Sequence, residues 1–380
     1  MLEPSHVLAI PAALLLTVTL SLCSCSDDTA PFGPPNGASG GAHQGGGAGS
    51  GGTPGSGGTA GSGGAVGASG SSATAGSGGT TGTPGAGATN GEGHVLYVTQ
   101  DHELRLIEAK KGASPRNISA QLDSLSGGSD KGASLSPDGQ WLSLVTTRFG
   151  CDDWECLAVV DSSIEHHEVI RVNGEKIHPE NQSAVLAGGK QLVFVDKDGP
   201  HANDLYLVAK KNGTWTSPKL LTENSPYSYN RQPSVAADGA RVVFDCGDEP
   251  YGGDGTSVCE ASLTGSPNAH VVVEPDLGGS GGRLHSPSYT PSGDIVAEGE
   301  WSREIITRWA RSSGKLSKFG YYGNDNTPCV LPDGRIASLW LGREGGSGAH
   351  ELKIMSADGS AFFMLIKDED LLDTEIGCGR

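Results

Sequence analysis

Lysine and arginine are absent from the first 93 residues of this 380-residue chain, and all 26 of them lie beyond that point. Between Pro31 and Gly93 the material for a core is missing as well. Those 63 residues hold 26 of the 60 glycines, the rest is chiefly Ser, Thr, Ala and Pro, and Glu92 is the only charge. Such a stretch cannot offset its own ordering entropy, which excludes a folded domain there. From His94 to Arg380 it is positive charge that is short. In these 287 residues 26 basic side chains face 40 acidic ones, a balance of −14. A surface of that sign repels phosphate backbones and anionic lipid, so nucleic-acid binding is excluded as the function. Beyond residue 22 no apolar run approaches the roughly 20 residues of a spanning helix, and membrane contact is expected only through an anchor.

What is present at the N-terminus reads as an address. Val7 to Leu22 (VLAIPAALLLTVTLSL) is 16 residues long and apolar apart from Thr and Ser, a length that suits a signal-peptide core. The following Cys23-Ser-Cys25-Ser-Asp-Asp resembles the lipobox of bacterial lipoproteins, with Leu three before the modified Cys and a small residue just before it. Cys25 fits, with Leu22 and Ser24, whereas Cys23 has bulky Leu22 as its neighbour. Of the eight cysteines, Cys23 would leave with the leader and Cys25 would be lipidated, so an even number remains to pair. Met1 to Ile10 has no Lys or Arg, a departure from the usual basic n-region. A plain secretory signal cut near Ser24 is the alternative. The expected organisation is a lipoprotein signal peptide over 1–24, a lipidated Cys with a disordered tether over 25–93, and a folded domain over 94–380. A flexible coil of the tether's length has an r.m.s. span of roughly 45 Å. Gly37-Ala-Ser-Gly-Gly41 and Gly278-Gly-Ser-Gly-Gly282 match the nucleophile-elbow pattern by letter only, since neither joins a strand to a helix.

The folded part repeats. Ser136-Pro-Asp-Gly139 returns in altered form as Leu186-Ala-Gly-Gly189, Ala236-Ala-Asp-Gly239, Thr290-Pro-Ser-Gly293 and Leu331-Pro-Asp-Gly334. A recurrence of that size signals stacked supersecondary units. Each turn is followed by an alternating segment, as in Gln191-Leu-Val-Phe-Val195 and Arg241-Val-Val-Phe-Asp245. A third such segment then comes, as in Asp204-Leu-Tyr-Leu-Val208, and a fourth, as in His270-Val-Val-Val273. Period two means strands, four antiparallel strands per unit make a propeller blade, and no segment shows a helical period.

Ser136 to Gly150 (SPDGQWLSLVTTRFG) resembles the WD-like repeat of TolB-type β-propellers, and Glu351 to Ser360 (ELKIMSADGS) resembles that family's next segment. The resemblance covers His94 to Arg380 and implies a fold more than a function, because the scaffold serves many tasks. The expected fold is all-β: a six-bladed propeller of four-stranded antiparallel blades. Five units open near Ala133, Gln182, Gln232, Ser286 and Thr327. The sixth is closed by pairing of the chain's two ends, with Thr374–Cys378 as innermost strand beside His94–Thr99.

On this plan the cysteines pair as Cys151–Cys156, Cys246–Cys259 and Cys329–Cys378, the first two across turns between second and third strands and the last between adjacent innermost strands. An oxidising envelope lets such bonds persist. The pairs lack zinc-ligand spacing. Asp196-Lys-Asp-Gly-Pro-His-Ala-Asn-Asp204 lacks the downstream Glu of a calcium loop. No Ser/His/Asp or paired-carboxylate set assembles by spacing. No metal, cofactor or catalytic residue is therefore expected. Propellers of this kind bind partners at the channel mouth, on the face of the second-to-third-strand loops and the interblade connections. The expected contact residues there are Trp154, Tyr229, Arg231, His285, Trp301, Asn326 and Arg343, aromatic and polar types that interfaces favour. The functional expectation is a monomeric, lipid-anchored envelope protein that binds a protein or glycan partner. The alternative is a polysaccharide-active lyase or hydrolase on the same fold, with His285 and His201 near the channel.

Overall fold

The computed structural model describes residues 92–151, 154–180, 182–250, 253, 255–275, 282–300, 304–318, 325–340, 351–367 and 371–380; within the last span, nothing is said of the side chains of 372–375. Cys25, the leader and most of the tether lie outside them.

The described residues form six antiparallel blades arranged as a ring. The first blade comprises Asp130–Leu135, Trp141–Thr146, Cys156–Asp161 and His167–Val169, from the axis outward. The second comprises Ser183–Val185, Gln191–Asp196 and Asp204–Lys211, whose outer edge is shared by Thr214–Trp215 and Lys219–Leu220. The third runs Tyr229–Val235, Arg241–Gly247, Ser257–Ser262, His270–Val273, and the fourth Arg283–Tyr289, Ile295–Glu300, Glu304–Ala310, Lys315–Lys318. The fifth is Asp325–Val330, Ile336–Trp340, Glu351–Met355, Phe362–Ile366. The sixth joins the two ends. Leu371–Gly379 is its innermost strand and pairs with His94–Thr99, which continues to Leu104–Glu108 and Arg116–Asn117. Val95 lies opposite Cys378 and Tyr97 opposite Ile376, so the ring has no open strand edge at its seam.

The repeat's most persistent letter has a backbone cause. Gly139, Gly189, Gly239, Gly293 and Gly334 all have φ between +64° and +87°, a region that a Cβ disfavours. Where Asp precedes the glycine, its side chain locks the turn. Asp138 Oδ1 accepts from Ser136 Oγ at 2.5 Å, and Asp238 Oδ1 accepts from Ala240 N at 2.9 Å.

Blades bury both faces of their middle strands, so those strands read as nearly continuous apolar runs rather than strict alternation. Between the fifth and sixth blades pack Val95, Tyr97, Leu331, Leu339, Leu352 and Ile354, all at most 1 % exposed. Each such side chain contributes roughly 1.5–3 kcal/mol. Cystines join Cys151 to Cys156, Cys246 to Cys259 and Cys329 to Cys378. The last links the innermost strands of neighbouring blades.

Two local features depart from the sequence reading. Ile118–Asp123 is a short helix, where the all-β reading expects none. Asn117 caps it, its side-chain oxygen accepting from Ala120 N at 2.9 Å, and Ile118 and Leu122 are fully buried beneath it. One turn is too short to show a 3.6-residue period. A hairpin of Arg171–Val172 and Glu175–Lys176 also follows the first blade.

Candidate functional site

The innermost strands enclose a channel cavity of about 270 Å³, lined by small residues and prolines such as Gly132, Ser183, Pro233, Pro287, Pro328 and Gly377. The innermost strands of the first, third, fourth and fifth blades each carry a bulge of one kind, where the ladder register slips, and the sixth blade's register slips between Tyr97 and Thr99. At the bulge Gly132, Gln232, Ser286 and Thr327 sit at φ from +46° to +55°. A bulge leaves a backbone N–H without its ladder partner, and in the third, fourth and fifth blades a side chain of the preceding blade takes it. Gln182 Oε1 accepts from Gln232 N at 2.7 Å, Gln232 Oε1 from Ser286 N at 2.7 Å, and Glu298 Oε2 from Thr327 N at 2.9 Å. These bonds hold the strained positions in place around the rim.

One residue before the bulge stand Arg231, His285 and Asn326. They meet a second row of residues, the fourth of each second strand when counted from Leu142, Leu192, Val242, Ile295, Ile336 and Val95. In the first, second, fifth and sixth blades that position holds Val145, Val195, Leu339 and Val98, all at most 2 % exposed. In the third and fourth it holds Asp245 and Glu298, 1 % and 8 % exposed. Arg231 is the ladder partner of Asp245, and their side chains approach to 3.5 Å. His285 Nδ1 lies 3.2 Å from the other side of the blade gap at Asp245 Oδ2, and His285 is itself the ladder partner of Glu298. A row of alternating basic and acidic side chains thus runs Arg231–Asp245–His285–Glu298 and ends on Thr327 N. Burial pushes the Glu298 carboxyl up to about 7, aided by the nearby Glu304 and Glu300, while the Thr327 N–H and His285 oppose the rise. Within this row Asp245 Oδ1 and Arg231 Nε are buried without a hydrogen-bond partner, as is Asn326 Oδ1 one blade on. Such atoms are costly to leave unmet. Buried carboxylates in place of Val or Leu work against stability, and such departures cluster at functional sites.

The structure brings Tyr229, Arg231 and His285 together. The Arg231 guanidinium lies 5.9 Å from the Tyr229 ring centroid and also donates to Pro250 O. Asn326 stands in the equivalent place one blade on. Trp154 is 75 % exposed in the hairpin closed by Cys151 and Cys156, with no described contact to the others. Trp301 and Arg343 lie outside the described residues. His201, the second channel histidine considered, sets Nδ1 2.8 Å from Asp204 Oδ1. Other charged pairs are structural. Arg148 donates from Nε to Asp130 at 2.9 Å with both side chains almost wholly buried, and Lys353 pairs with buried Asp325.

Sequence reasoning did not single out Asp245, Glu298, Gln182 or Gln232. The signal for the first two was available. Aligned on Leu142, Leu192, Val242, Ile295, Ile336 and Val95, the six second strands show one column of Val and Leu interrupted twice by acid.

No family model matches the chain, and no curated protein matches it. Among solved structures it is similar to TolB from Acinetobacter baumannii at 15 % identity, covering 76 % of this chain and 67 % of that one, with a TM-score of 0.55. A TolB candidate from Agrobacterium tumefaciens aligns at 16 % identity over 74 % and 91 %, with a TM-score of 0.49. An oligogalacturonate lyase from Vibrio parahaemolyticus aligns at 13 % identity over 72 % and 79 %, with a TM-score of 0.46. At these identities the likeness speaks to architecture. With the six blades, their order and their closure, it gives this chain the fold of the TolB-like β-propellers.

Proposed function

We propose that the protein is a lipid-anchored component of a bacterial cell envelope, and that its propeller binds a protein or glycan partner at the channel mouth. In this reading residues 1–24 are removed, Cys25 carries the lipid, residues 25–93 tether the domain, and the propeller is monomeric. The observation that carries the proposal is the row Arg231–Asp245–His285–Glu298 at the mouth, where four of six blades have Val or Leu at the carboxylate position. Tyr229 and Trp154 supply aromatic surface on the same loop face, of the kind that anchors interfaces. Trp301, Asn326 and Arg343 complete the proposed contact set. The three cystines fit an oxidising, extracytoplasmic compartment.

A second reading rests on one feature, an imidazole oriented by the Asp245 carboxylate beside a carboxyl that titrates near 7. That is the equipment of a general acid–base pair, and it supports a polysaccharide-active enzyme. One experiment separates the two. The mature chain and its Arg231→Ala/His285→Ala variant are used as baits in solubilised envelope and assayed on a glycan library. A protein retained by the wild type and lost from the folded variant supports the binding module. Glycan turnover by the wild type alone would establish the enzyme, and identical behaviour of both chains in both assays would move the site away from the mouth.

A further inference from the structure

The three cystines differ in how far they can be reached. Cys151, Cys156, Cys246 and Cys259 are at most 1 % exposed, and none of them lines the channel cavity. Cys329 is 7 % exposed and Cys378 is half-buried, and both stand on the wall of that cavity. Cystines open to solvent are the labile and regulatory ones, whereas buried ones are inert.

The place of this bond in the ring is equally distinct. Leu371–Gly379 is the innermost strand of the sixth blade, and a single ladder, to His94–Thr99, holds it in its sheet. Towards the first blade it is held by close packing. A Cβ at Gly377 or Gly379 would collide with the backbone of Leu135 or Ser136. Towards the fifth blade it is tied covalently, Cys378 to Cys329. Terminal strands fray unless tied down, and this cystine is the tie. Cys329 lies two residues after Thr327, whose N–H meets Glu298 at the end of the row. The bond therefore connects the ring's seam to the strand that carries Asn326 and Thr327.

We propose that Cys329–Cys378 is a redox latch on the ring. A low-molecular-weight dithiol entering the channel reduces it ahead of the other two cystines, and its reduction loosens the seam together with the fifth blade's side of the mouth. The exchange runs in two steps. One thiolate of the dithiol attacks Sγ of Cys378, the more exposed residue of the pair, and Cys329 leaves as a thiolate that takes up a proton. The dithiol's second thiolate then attacks its own sulfur in the mixed disulfide, expels Cys378 as a thiolate and closes a disulfide within the reductant. Two electrons pass from dithiol to cystine. Every ladder of the ring survives this step, so the product is a folded propeller whose last strand opens locally more often. None of this depends on what the mouth binds.

The test is limited reduction of the full chain with dithiothreitol, with samples alkylated by iodoacetamide at intervals and mapped by peptide so that each cysteine is followed separately. Cys329 and Cys378 should become alkylated together, at least about tenfold faster than the other four. Hydrogen–deuterium exchange of the selectively reduced chain should quicken over 371–379 and 94–99 and stay unchanged over Arg241–Gly247. A Cys329→Ser/Cys378→Ser chain should exchange at the reduced chain's rate with or without dithiothreitol. Should that variant misfold, the wild-type mapping and exchange still decide. Earlier reduction of Cys151–Cys156 or Cys246–Cys259, or reduction of all three at one rate, would overturn the assignment. So would selective loss of the Cys329–Cys378 bond with exchange over 371–379 unchanged.

Discussion

Glu298→Gln should make the protein more stable at alkaline pH and change nothing in acid. The carboxyl is nearly buried and its pKa rises from 4.5 in the unfolded chain to about 7 in the folded one. Below about pH 4.5 it is protonated in both states and Gln is its close mimic. Between the two values the folded state holds a proton that the unfolded state has released, so wild-type stability falls as pH rises through this window and levels off above 7. At about 1.4 kcal/mol per pH interval of one, the accumulated penalty is on the order of 3 kcal/mol. Glutamine carries no charge and its Oε1 can still accept from Thr327 N, so the variant escapes the penalty without orphaning the bulge. The assay is urea unfolding of both chains at pH 4, 5.5, 7 and 8.5 in EDTA, read as the difference in free energy so that other carboxylates cancel. The charged and titratable neighbours are His285, Glu300 and Glu304, and repeating the pair in a His285→Asn background takes the histidine out of the comparison. A difference that stays flat across the window, or a variant destabilised equally at pH 4 and 8.5, would refute the argument that burial of this carboxyl costs stability.

Loss of Cys378, which frees the last strand from Cys329, should lower stability by roughly 2–4 kcal/mol, while Cys156→Ala should cost less because it opens a much shorter loop; denaturant melts of the two variants compare them. Lys353→Ala leaves Asp325 buried without its partner and should cost roughly 3–5 kcal/mol, whereas Lys110→Ala, from an exposed pair with Glu108, should change stability by less than about 1 kcal/mol. Incorporation of radiolabelled palmitate should be abolished by Cys25→Ser and retained in Cys23→Ser; label lost from the second variant instead would move the cleavage site.

How much could be read without coordinates differs between fold and site. Strand positions were legible because period-two patterning and the glycine turn are local. Gly139 and its four counterparts adopt positive φ, so the repeat that marks the blades is a backbone requirement written in one letter. Ring closure was legible as well, since Thr374–Cys378 and His94–Thr99 are alternating segments at opposite ends with no other partner. The helix at Ile118–Asp123 was not, because six residues of Ile, Ser, Ala, Gln, Leu and Asp carry no period, and it is burial of Ile118 and Leu122 that selects the turn. At the mouth, composition nominated Tyr229, Arg231 and His285 as surface residues of interface type. The chemistry at the rim comes from partners on the neighbouring blade, 29 to 50 residues away: Asp245 for His285, Gln182 for Gln232, Glu298 for Thr327. Propensity and alternation report what each residue does to its own strand. Which carboxylate faces which imidazole depends on the register of every ladder and on how neighbouring blades pack, and only the closed ring sets both.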